Sequence, residues 1–123
     1  MSTWNVEVDE DKERVYLTIH GKMEPEEMSQ LADQCGEAAR RLPDGFDLVN
    51  DMATFVPSSE ETMAQIQRGK RLLAENGMGA AVRVVSESTT GQMQFDRAGE
   101  GVETYSLAKA ESIEQAEKLL DKR

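Results

Sequence analysis

The chain has one cysteine, one histidine, three prolines and one tryptophan in 123 residues. A single cysteine, Cys35, cannot form an intramolecular disulfide and cannot build a cysteine-based zinc site. A single histidine, His20, has no second imidazole with which to share a metal and no nearby cysteine with which to form a nucleophile pair, so it reads as a strand-end surface residue. No metal site and no cofactor is expected. No window comes near the roughly 18 consecutive apolar residues that a membrane span requires, and the N-terminal Met1-Ser2-Thr3-Trp4-Asn5 lacks a basic stretch leading into an apolar one. The sequence therefore predicts a cytoplasmic protein with no membrane span.

Basic residues are also scarce, with 14 Lys and Arg against 24 Asp and Glu, for a net charge of −10. Such a field repels the phosphates of nucleic acids and the headgroups of anionic lipids, so nucleic acid is not an expected partner. Apolar residues make up 38% of the chain, which suffices for one core, and residues 1–123 are expected to form one domain.

What is present is an ordered series of patterns. Val6 and Val8, then Val15, Leu17 and Ile19, alternate with polar residues on either side of Asp9-Glu10-Asp11-Lys12, predicting a β-hairpin. Pro25 suits a first helical turn, where its missing amide hydrogen costs nothing. Met28, Leu31, Ala32, Cys35, Ala39 and Leu42 follow at spacings of three and four, one stripe of a helix. After Pro43-Asp44-Gly45, the run Phe46 to Met52 predicts a third strand. Ser58 with Glu61 three residues on has the capping-box spacing, so a second helix is expected from Ser58, with Met63, Ile66, Leu72 and Leu73 on its apolar side and Asn76-Gly77 at its end. Gly69 inside it costs about 1 kcal/mol of helix propensity unless close packing needs the missing side chain.

Ala80 to Val85 is apolar at nearly every position, as in a strand covered on both faces. A short helix over 90–98, a last strand over 102–106 and a closing helix capped by Ser112, with Ile113, Ala116, Leu119 and Leu120 as its stripe, complete the series. The fold class is α/β: one mixed, mostly parallel sheet of about five strands, an opening hairpin and about four flanking helices.

Gly69-Lys70-Arg71-Leu72-Leu73, Gly77 to Val85 and Gln92-Met93-Gln94-Phe95 together resemble the SpoIIAA-like branch of the STAS domains. Ser112 to Leu120 is similar to that branch's C-terminal helix, and the resemblance in element order spans almost the whole chain. It implies a non-enzymatic regulatory or protein-interaction module. In the anti-sigma-factor antagonists of the wider family, a serine at the start of the second helix is phosphorylated by a partner kinase. Ser58 and Ser59 occupy the corresponding junction and are the candidate switch residues. The antagonists carry Asp-Ser-Ser-Gly-Leu there, whereas this chain has Pro57-Ser58-Ser59-Glu60-Glu61, whose two carboxylates would repel an added phosphate. The simpler expectation for Ser58 is a helix cap.

The branch is also related in fold to the CRAL-TRIO lipid-transfer domains, which supplies an alternative: a carrier or sensor of a small apolar ligand held between helices and sheet. Asp51, at the end of the third strand, stands where ligands of open α/β sheets gather and is the candidate ligand-edge residue. Cys35 lies on the apolar stripe of the first helix and reads as core. No catalytic constellation stands out, so the sequence points away from an enzyme and toward a protein partner. An exposed apolar helix face would also suit a homodimer.

Overall fold

In the computed structural model, which describes residues 3–57, 59–84 and 106–122, five strands form one sheet in the order in which they occur along the chain. The hairpin strands β1 (Thr3–Asp9) and β2 (Arg14–Met23) pair antiparallel, with Val6 opposite Leu17. The turn between them is held by the Lys12 amide donating to Asp9 Oδ1 at 3.0 Å, and it places Glu13 at φ 56°. The next three pairings are parallel: β2 with β3 (Asp47–Pro57), β3 with β4 (Ala80–Val84), and β4 with β5 (Ser106–Ala110).

Three helices are present among the described residues. Helix α1 (Pro25–Arg40) begins with Pro25 in its first turn, and the whole expected stripe from Met28 to Leu42 is buried. Helix α2 (Glu60–Glu75) packs against α1, and α3 (Ile113–Asp121) closes the chain. The expected helix over 90–98 lies outside the described residues.

Alternation along the strands divides the core in two. Leu17, Ile19, Leu48, Met52 and Ala81 project to one side and pack beneath α1 and α2 with Met28, Leu31, Cys35, Ile66 and Leu73. Val49, Ala80, Val82 and Val84 project to the other side and pack with Ala116 and Leu120 of α3. Adjacent side chains along a strand therefore serve different layers, as the two-residue period of a strand requires. Leu17, Leu48, Val82 and Val84, the core residues expected from the sequence, are all buried.

The structure corrects three boundaries and one apolar stripe. Strand β3 does not end near Met52 but runs to Pro57, because β2 continues beside it to Met23. The last strand includes Ser106–Ala110, paired with β4 throughout, and so continues past the expected end at 106; residues 102–105 lie outside the described residues. Alanine and lysine are weak strand formers, so this segment carries little local signal. Helix α2 is capped by Ser59, whose Oγ accepts from the Thr62 amide at 3.3 Å. Ser58 lies outside the described residues. On α3, Ser112 caps as expected by accepting from the Gln115 amide at 3.1 Å, but Ile113 and Leu119 are 44% and 39% exposed and only Ala116 and Leu120 are buried.

Beside its buried Ala116 and Leu120, α3 is held by a cluster of charged and polar contacts. Glu117 accepts from Lys12 Nζ at 3.0 Å, Arg14 Nη1 at 2.9 Å and the Tyr16 hydroxyl at 2.5 Å. Arg14 Nη2 also donates to Asp121 Oδ1 at 2.6 Å. Burial alone would raise the Glu117 pKa, but the hydrogen bonds from Tyr16 and Lys12 and the nearby Arg14 charge outweigh it and hold the group below its ordinary 4.5. The Arg14 hydrogen bond likewise holds Asp121 below 3.8. Burial, then the bond to Glu117, pushes Tyr16 above 10.0.

Two expected outcomes follow from this packing. A Cβ at Gly69 would stand 3.5 Å from Ala32 Cβ, an ordinary van der Waals contact. Gly69→Ala should therefore stabilise the protein by about 0.5–1 kcal/mol through helix propensity, and a loss in chemical denaturation would show that the α1–α2 crossing tolerates no added methyl. The second outcome concerns Glu117. A carboxylate with a lowered folded pKa contributes stability above its unfolded pKa and loses it as pH falls through the folded value. Glu117→Gln should cost about 2 kcal/mol at neutral pH, and its deficit should shrink as pH falls from 4.5. Thermal melts of both proteins across that acidic range check it; a deficit independent of pH would place the cost in packing.

Candidate functional site

The carboxyl ends of β2 and β3 lie together near the N-termini of α1 and α2, whereas β4 ends earlier, level with Asp51. Two groups of polar side chains lie along β3, one at Asp51, which stands mid-way along the strand and not at its end as the sequence suggests, because β3 continues to Pro57, and one at the strand's end. The first is centred on Asp51. Its backbone pairs with Thr18 on one side and with Val84, the last residue of β4, on the other. The register then shifts: Thr18 opposes Asp51 but His20 opposes Thr54, so β3 carries one extra residue. This β-bulge re-aims neighbouring side chains, and His20 Nε2 comes to 3.6 Å from Asp51 Oδ2. His20, which seemed isolated in the sequence, thus has a carboxylate neighbour. The pair is partly open to solvent.

The second group is the β3–α2 junction. The backbones of Met23 and Pro57 pair at the very end of the β2–β3 ladder. Thr62, fully buried in the first turn of α2, donates its hydroxyl to the Met23 carbonyl at 3.4 Å. That bond fixes the rotational phase of α2 against β2 and explains why Ser59, three residues earlier, becomes the cap. Ser59 itself is exposed, and its Oγ also lies 3.3 Å from Thr62 Oγ1. Glu60 and Glu61 occupy the same first turn, where the positive end of the helix dipole favours them.

Asp51 and Ser59 are not brought together. The six strand steps from Asp51 to Pro57 span about 20 Å, so the two candidate features belong to separate places along β3.

A third polar group was not anticipated. Asn50, Lys70 and Arg83, all buried, line a cavity of about 30 Å³ between the sheet and α1–α2, with Leu17, Ile19, Leu48, Ile66, Leu73 and Met78 supplying apolar walls. Among the described residues, Asn50 Oδ1 has no hydrogen-bond partner. The space accommodates about two waters, one of which could satisfy that carbonyl. Pockets for organic ligands run to several hundred Å³. The signal in the sequence was Arg83, a charged residue in an otherwise apolar strand; its alternation with Val82 and Val84 assigns it to the helix-facing side.

Cys35 is sealed in the core, where burial pushes its thiol up to about 12. It stays protonated at neutral pH and acts as a small apolar group. Among the described residues, no group of three or more His, Cys, Asp or Glu side chains is placed to hold a metal ion, and no helix is long and apolar enough to cross a membrane. No family model matches the chain, and no curated protein matches it.

The cap geometry gives a direct expectation. Ser59→Ala should cost about 1 kcal/mol, and Ser59→Asp should be nearly neutral because aspartate caps well and its charge suits the helix N-terminus. Equilibrium unfolding of the two variants checks it. Equal losses would mean that the Ser59 hydroxyl is not the cap that matters.

Proposed function

We propose that this chain is a non-enzymatic regulatory or protein-interaction module of the SpoIIAA-like kind, which presents its β3–α2 junction to a protein partner. The observation that carries this reading is the exposed Ser59 cap on a helical turn anchored to the end of β2 through Thr62 and Met23. An exposed turn held rigidly at a sheet edge is a pre-organised contact surface, and rigidity before binding lowers the entropic cost of association.

Ser59 Oγ already serves the helix as an acceptor, and a phosphate on it would stand beside Glu60 and Glu61. The junction therefore works as a fixed recognition surface, with Ser59 as its cap. The small volume beneath α1 and α2 favours this interaction reading over that of an apolar-ligand carrier, which needs a pocket about ten times larger.

Site-specific photocrosslinking in the native host tests the proposal. A crosslinker at Glu60, exposed in the first turn of α2, should capture one defined protein in high yield. The same group at Glu37, exposed on α1, should not. Equal capture from both positions, or none from position 60, would overturn it.

A further inference from the structure

We propose that the outer edge of β1 is a docking strip for a basic, extended segment of another protein, which adds to the sheet as a further strand. The inference deepens the reading of the chain as an interaction module and rests on it, but it concerns a different surface.

Strand β1 lies at the end of the strand order, and all seven of its residues pair with β2 on the inner side. Among the described residues no strand pairs with its other side. An open edge exposes unpaired amide and carbonyl groups, and proteins ordinarily blunt such edges with lysine, proline or brevity. This edge uses none of these. Its charged residues are Glu7 and Asp9, and the chain continues directly into Glu10, which pairs with Arg41 at 3.3 Å, and the exposed Asp11.

The sign of that charge selects the occupant. A second copy of the chain also carries a net −10 and is repelled, whereas a basic segment is drawn in.

The apolar side of the strand agrees. Trp4, Val6 and Val8 are half-buried, packed against the main core. A strand laid alongside would cover their remaining surface with apolar side chains of its own. Its alternate residues would then stand on the opposite face, beside Asn5 and Glu7, where lysine or arginine is complementary. The partner chemistry is therefore an extended stretch of alternating apolar and basic residues, bound by strand addition.

Trp4 is the sole tryptophan and lies on the strip itself, so its fluorescence reports the event. The probe is a blocked peptide of alternating lysine and valine. It should shift Trp4 emission to the blue and slow exchange of β1 amides about tenfold at saturation. Its affinity should fall with added salt. The same peptide methylated on alternate backbone nitrogens should not bind. Glu7→Lys with Asp11→Lys, both exposed positions, should weaken binding about tenfold while leaving the melting temperature close to that of the parent. The proposal is overturned if the methylated peptide binds equally well, if protection appears away from β1, if the lysine–valine peptide has no effect, or if sedimentation shows the protein pairing with itself through this edge. A silent peptide would retire the β1 strip alone, since the crosslinking experiment at Glu60 judges the junction on its own terms.

Discussion

Everything in this fold depends on the pairing register of β2, β3 and β4. Leu48 and Val49 are neighbours in the chain, yet one belongs to the layer under α1 and α2 and the other to the layer under α3. A slip of a single residue would exchange the two sets and turn Asp51 toward the helices while Leu48 left them. Arg83 and Asn50 are paired across that same ladder, so their burial on the helix-facing side is a direct consequence of the register. The sheet thus fixes at once which apolar residues meet which helix and where its buried polar groups lie.

The two layers are built differently. Beneath α1 and α2 the contacts are mainly apolar, from long side chains on two sixteen-residue helices. Beneath α3 the buried contribution from the helix is Ala116 and Leu120, and the rest is an ionic clasp centred on Glu117. Hydrophobic burial is almost insensitive to pH, whereas a partly exposed clasp is weakened by acid and screened by salt. The packing of α3 should accordingly respond to pH and salt through this clasp.

Features set by local pattern were legible in the sequence, and those set by pairing were not. The five stripe positions within α1, Met28, Leu31, Ala32, Cys35 and Ala39, declare a helix without help from the rest of the chain. The hairpin, the all-buried β4 and the Ser112 cap were equally visible, because alternation, an apolar run and cap spacing are properties of short windows. The far half of β3 is strand because β2 accompanies it, and Ser106–Ala110 is strand because β4 does. Ser58 and Ser59 are indistinguishable as caps until Thr62 is known to reach Met23. The clasp joins residues more than a hundred positions apart, and the His20–Asp51 pair depends on a bulge in β3, so both are invisible to any local reading. Asp51 reads from the sequence as the end of a strand, but the strand continues to Pro57, and the histidine beside Asp51 carries no local signal.

The burial of Cys35 has a practical corollary. The only sulfhydryl in the chain is sealed beneath α1 and held in its protonated form, so the folded protein presents no reactive thiol to a maleimide or a gold surface. A cysteine introduced at any exposed position would then be the single point of attachment. The native chain is in effect already a blank for dye labelling, spin labelling or oriented immobilisation, with no need to disturb the core by first removing the residue nature placed there.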